Sequence, residues 1–99
     1  MTTLKELLKD CEALLKGVGE EFWSDKIEAA LQHAEATDGV LSASYILTWF
    51  GGPGSFNDLT LSEFNGHKIG SKGESELNST LQDLQSQIYD KAMRMQREE

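Results

Sequence analysis

Residues 49–62 read WFGGPGSFNDLTLS, with three glycines and a proline packed into positions 51–54 between two apolar segments. The run that leads into it, VLSASYILTWF at 40–50, predicts a buried helix from its length, its small residues and the preceding Asp38; a strand is the alternative, because short apolar runs fit both. A helix that stops at Trp49 and Phe50 needs a left-handed terminator, which Gly51 or Gly52 supplies. Pro53-Gly54 suits the two central positions of a type II turn. Ser55, Asn57 and Asp58 carry short polar side chains that bond to nearby backbone, and Phe56 between them can fold back onto Trp49. The stretch reads as a rigid corner, with Gly51, Gly52, Gly54 and Asn57 as its structural residues.

Other uses of a glycine-rich loop fit poorly. A phosphate loop needs G-x-x-x-x-G-K-[ST] after a strand, and residues 51–58 hold no lysine and an aspartate that repels phosphate. The dinucleotide pattern G-x-G-x-x-G fails at Asn57. Ser55, Asp58 and His67 can be drawn as a relay, but a nucleophile needs a base in reach and a third group to orient it. With two histidines in 99 residues such drawings come easily, so no catalytic residue is assigned. Two histidines and one cysteine on separate elements predict no metal site, and no cofactor is expected.

Around the corner the chain is helical in pattern. Thr3-x-x-Glu6 forms a capping box. Leu4, Leu7, Leu8, Cys11, Leu14 and Leu15 follow at three- and four-residue steps, and Gly17 with Val18 predicts a left-handed stop. A second helix starts near Glu20 or Ser24 and ends at Gly39, burying Trp23, Ile27, Ala30, Leu31 and Ala34. His33 lies beside that stripe as a structural side chain. After the corner, LTLSEF-NG-HKI predicts a short hairpin with Asn65-Gly66 as its turn. From about Ser75 a last helix carries Leu77, Leu81, Leu84, Ile88 and Met95. The fold class expected is mainly α: a four-helix arrangement with a Gly-rich corner and a short β-hairpin between helices 3 and 4, in a single domain over residues 1–99. Lone Cys11 sits at an apolar helical position and predicts a core thiol.

The net charge is −8, and it is uneven. Residues 20–38 carry Glu20, Glu21, Asp25, Glu28, Glu35 and Asp38 against Lys26, a net of −5. Such a surface repels nucleic acid and attracts cationic partners; as a bland alternative it is a solvated face that aids solubility. No stretch reaches the roughly 20 apolar residues of a membrane span, and nothing at the amino end has the form of a signal peptide. A soluble, cytoplasmic protein is expected.

The core FGGPGSFNDL, followed by a Leu-rich segment, an NG turn and an amphipathic helix, resembles a family of small bacterial domains of undefined function with the signature F-G-G-x-G-S-[FL]-N-D-[LI]. The likeness runs from about Trp23 to Ile88, with Pro53 where the pattern leads one to expect methionine. It implies no enzymatic activity. In size and charge the chain is also similar to immunity proteins, which neutralise bacterial toxins. The function expected is thus an acidic binding protein that neutralises a basic, nuclease-type toxin domain. Glu20, Glu21, Asp25, Glu28, Glu35 and Asp38 are its expected contact face, Phe56 the anchor, and Asp58 a further contact. The alternatives are a regulatory or scaffold module that self-associates through the stripe of the last helix, and a small hydrolase or ligand-binding protein that uses the 51–58 loop.

Overall fold

A computed structural model describes residues 3–36, 41–51, 54–70 and 73–98. Among them are four α-helices: α1 (Leu4–Gly17), α2 (Glu21–Ala36), α3 (Ala43–Leu47) and α4 (Glu74–Glu98). Two single 3-10 turns, Phe56–Asp58 and Glu63–Asn65, lie between α3 and α4. The fold is mainly helical. No helix among the described residues is long and apolar enough to cross a membrane.

Thr3 caps α1, its hydroxyl accepting the Glu6 N–H at 3.1 Å. Leu4, Leu7, Leu8, Cys11 and Leu15 are buried along one stripe, with Leu14 packed at its edge. The left-handed residue at the end of α1 is Gly19 (φ +76°), two positions after the glycine expected to serve. Gly17 is still helical, because Val18 must first drop its side chain into the core before the chain can reverse. The C=O of Lys16 then accepts Gly19 N–H at 3.2 Å, and that of Leu15 accepts Glu20 N–H at 2.9 Å.

The α2 stripe of Trp23, Ile27, Ala30, Leu31 and Ala34 is buried as its spacing predicts. Its expected end at Gly39, and Asp38, lie outside the described residues, as do Gly52 and Pro53 of the corner. The third helix is shorter than the apolar run. Ser42 caps it, accepting the Tyr45 N–H at 3.2 Å. After Leu47 the chain tightens to three-residue hydrogen bonds through Thr48, Trp49 and Phe50, while the Thr48 hydroxyl competes for the Tyr45 C=O.

The core is continuous from α1 through α2, α3 and the corner to α4. Phe56 lies at its aromatic centre, with ring centroids 4.9 Å from Trp23, 6.0 Å from Trp49 and 5.6 Å from Phe50. Its backbone is held as firmly: its N–H donates to Trp49 C=O at 2.7 Å, and its C=O accepts the buried amide of Gln85 from α4 at 2.6 Å. On α4, Leu77, Leu81, Ile88 and Ala92 face inward, with Leu84 and Met95 packed at the margin. The α4 stripe expected to serve self-association packs into this core.

The hairpin is not seen among the described residues, and the hydrogen bonds show where its backbone groups go instead. Asn78 of α4 grips Leu61 from both sides: Oδ1 accepts the Leu61 N–H at 2.7 Å, and Nδ2 donates to the Leu61 C=O at 2.8 Å. One side-chain amide does the work of a neighbouring strand. The returning arm is diverted as well, with Lys68 N–H donating to Val18 C=O at 2.8 Å. Asn65-Gly66 does form a turn, closing the second 3-10 element with Gly66 left-handed at φ +87°.

Replacing Gln85 with leucine should destabilise the fold by about 1–2 kcal/mol in urea unfolding, since the Phe56 carbonyl loses its shorter bond and keeps the Leu59 N–H at 3.2 Å. Gln82→Leu, at an exposed position one turn away, should change little; equal effects would show that the carbonyl finds another partner. Burial pushes the Cys11 thiol from its ordinary 9.0 up to about 12. The folded state thus holds this proton more tightly than the unfolded chain does. The resulting stability is complete below pH 9.0 and is lost as pH climbs toward about 12. In native buffer the thiol should react with a disulfide reagent only through rare opening of the fold, and at once in denaturant. A rapid native reaction would place the thiol outside the core.

Candidate interaction surface

On α2, Glu21, Asp25, Glu28 and Glu35 fall at i, i+4, i+7 and i+14, which aligns them in one stripe opposite the buried residues. Glu21, Asp25 and Glu35 are exposed and form no ion pair among the described residues. Glu28 is half-buried at the border with α1, its carboxylate 3.6 Å from the Lys16 ammonium. Lys26, the cation that α2 itself carries, is turned away from the stripe. Its ammonium lies 5.1 Å from the Trp23 ring centroid and 5.6 Å from that of Phe22, a cation–π arrangement worth about 0.5–1 kcal/mol where water reaches it. Glu21, Asp25 and Glu35 are thus left without a neutralising cation among the described residues, while Glu28 faces Lys16.

Glu20 has a different role from the one expected for it. Oε2 caps α2 by accepting the Trp23 N–H at 2.9 Å, and Oε1 lies 3.1 Å from His67 Nε2. His67 is buried, and its Nδ1 accepts the Ser62 N–H at 3.0 Å. An acceptor at Nδ1 places the ring proton on Nε2, which therefore donates to Glu20. This clasp joins the start of α2 to the 62–67 turn across 47 residues of chain. It leaves Glu20 mostly covered and already engaged, so Glu20 is not a freely presented contact.

Phe56 is the second correction. Its ring is 0 % exposed, so it anchors the corner from within and offers no face to a partner. At the corner, Gly51 (φ +135°) donates its N–H to Asn57 Oδ1 at 3.2 Å, and the Ser55 hydroxyl donates to the Gly51 C=O at 2.6 Å. Asp58 is exposed, and its Oδ2 accepts the N–H of Gly54 (φ +80°) at 3.1 Å. Gly51 and Gly54 thus take positive φ at the bend, and the Asn57 side chain closes it onto Gly51. Ser55, Asp58 and His67 do not assemble into a relay: both ring nitrogens of His67 are engaged by Ser62 and Glu20, and Ser55 points to the Gly51 carbonyl.

Two grooves meet at Trp23, Gly54 and Ser55. One, of about 400 Å³, is bordered by Glu20, Asp58, Asn65 and His67. The other, of about 290 Å³, is bordered by Phe22, Lys26, Thr48 and Phe50. Two large apolar side chains stand exposed: Phe22, which borders the second groove, at 65 %, and Phe64, next in the chain to Asn65 of the first, at 97 %. Sequence reasoning overlooked both. Phe64 had a signal, since the period-two alternation that puts Leu59 and Leu61 on one side of an extended segment puts position 64 on the other.

These features define a small, mainly helical domain with an acidic helix face mounted on a glycine corner. The chain belongs to the family described as a domain of unknown function (DUF6966), which it matches over residues 16–70. That segment contains the acidic stripe, the corner, the Glu20–His67 clasp and Phe64. No curated protein matches the chain, and no solved structure does.

Breaking the clasp should be costly. His67→Ala strips the acceptor from Ser62 N–H and the partner from Glu20, and a loss of about 1–3 kcal/mol is expected in thermal or urea unfolding. The accompanying sign is faster hydrogen exchange at Ser62. An unchanged exchange rate there would contradict the assignment of Nδ1 as its acceptor.

Proposed function

We propose that this protein is an acidic binding protein that docks a cationic protein partner along the exposed stripe of α2, as an immunity protein does when it neutralises a toxin domain. The observation that carries the reading is that Glu21, Asp25 and Glu35 form no ion pair among the described residues, together with the diversion of Lys26 onto aromatic rings. Carboxylates that do not pair within the chain keep their field in solution, and a concentrated field of one sign accelerates capture of an oppositely charged partner. A basic nuclease-type toxin domain, built to hold phosphates, has the complementary charge. On this reading the stripe covers the toxin's phosphate-binding surface and keeps nucleic acid out. The protein acts by occupancy, with no chemistry of its own, and works in the cytoplasm of a bacterium where the toxin would strike.

The test first asks whether a toxin domain is encoded beside this chain's gene, where its lack would overturn the neutralisation reading, and then uses that domain produced with its catalytic residues disabled. A tight complex is expected, with an association rate that falls steeply as salt is raised. Combining Glu21→Lys, Asp25→Lys and Glu35→Lys should weaken the complex by about 100-fold or more and flatten the salt dependence, with the helical circular dichroism unchanged. A triple variant that binds like the parent chain would overturn the acidic-stripe mechanism. Absence of any complex would overturn the neutralisation reading itself.

A further inference from the structure

Phe64 is 97 % exposed, so its ring is covered by almost nothing among the described residues. Yet the backbone that carries it is among the most tightly bonded stretches outside the helices. The Ser62 hydroxyl accepts the Phe64 N–H at 3.1 Å. The Ser62 C=O accepts the N–H groups of Asn65 and His67, both at 3.0 Å. Gly66 N–H returns to Glu63 C=O at 3.0 Å, and Glu63 N–H donates to the Glu74 carboxylate on α4 at 3.0 Å. The clasp from His67 to Glu20 ties the whole turn to α2. A large apolar ring is therefore held out in water on a frame whose ordering entropy was lost on folding. That is the arrangement that makes an aromatic side chain an effective anchor.

The surroundings specify what would cover it. Glu63 precedes Phe64 in the chain, the Glu74 carboxylate is bonded to the Glu63 N–H, and exposed Asp58 borders the groove that begins at the neighbouring Asn65. Lys68 is the described cation on the same loop, and its backbone turns away to Val18. A second copy of a chain with net charge −8 would meet like charge there, as would an anionic lipid surface.

We propose that Phe64 is the anchor of a docking surface for a cationic protein segment whose apolar side chains close over the ring. Its basic side chains meet Glu63, Glu74 and Asp58, and the segment continues along the groove toward Trp23. The inference builds on the acidic-binding reading above but places the anchor at the 62–67 turn, away from the α2 stripe.

A displayed library of random peptides, panned on the intact chain, supplies the probe. Peptides rich in Lys or Arg around an apolar cluster should be enriched, and should bind the Phe64→Ala variant at least about 10-fold more weakly. Phe64→Leu should recover part of the loss. The melting temperature of Phe64→Ala should equal that of the parent, because the ring is covered by almost nothing among the described residues. The proposal is overturned by peptides that bind Phe64→Ala as tightly as the parent, by a selection that shows no basic bias, or by a marked fall in melting temperature, which would make the ring structural. The two readings fail separately. Peptide binding lost at Phe64 with no toxin complex leaves the anchor standing without neutralisation. A toxin complex that is sensitive to the α2 stripe but indifferent to Phe64→Ala leaves neutralisation standing without the anchor.

Discussion

Phe56 occupies the point at which α2, the end of α3, the corner and α4 meet: its ring fits among Trp23 of α2, Trp49 after α3 and Phe50, while Gln85 of α4 holds its carbonyl. A buried aromatic removes about 150–250 Å² from water, and here it does so at a residue whose two backbone polar groups are also satisfied. The glycine corner follows from this constraint. To bring Phe56 back under Trp49 within seven residues the chain must reverse sharply, and Gly51 and Gly54 take the positive φ values that the reversal demands. Asn57, Asp58 and Ser55 then bond the corner to itself.

The Glu20–His67 clasp is a second, smaller constraint with a comparable reach. One carboxylate caps a helix and orients a histidine, and that histidine in turn holds the turn bearing Phe64. The start of the acidic stripe and the exposed ring are thereby fixed to one frame. A partner touching both would find them already positioned, with little left to order on binding.

The family match over residues 16–70 ends before α4 begins. Even so, α4 supplies Gln85 to the corner, Asn78 to Leu61 and Glu74 to Glu63. Those three polar contacts reach from α4 into the matched segment and set the path of its last loop. In this chain the segment is held by side chains outside it.

Periodicity made the helices legible. The stripes of α1, α2 and α4 follow from apolar residues at three- and four-residue steps, and the acidic excess follows from counting charges between 20 and 38; the corner was legible because so few residues tolerate positive φ. Local pattern was silent on where backbone groups find partners far along the chain. The NG turn was read rightly as a turn, but whether its arms pair with each other depended on Asn78 and Val18, which lie 17 residues after Leu61 and 50 before Lys68. The same holds for Phe56 and Phe64. Both are phenylalanines in loops, one with no exposure and one with almost nothing else, and only packing against Trp23, Trp49 and Phe50 separates them. Sequence by itself determined the helices, the sharp bend and the sign of the charge, because each depends on neighbours a few positions apart. The tertiary structure alone decided which carboxylates and which ring reach the surface, because burial is set by contacts between residues distant in the chain.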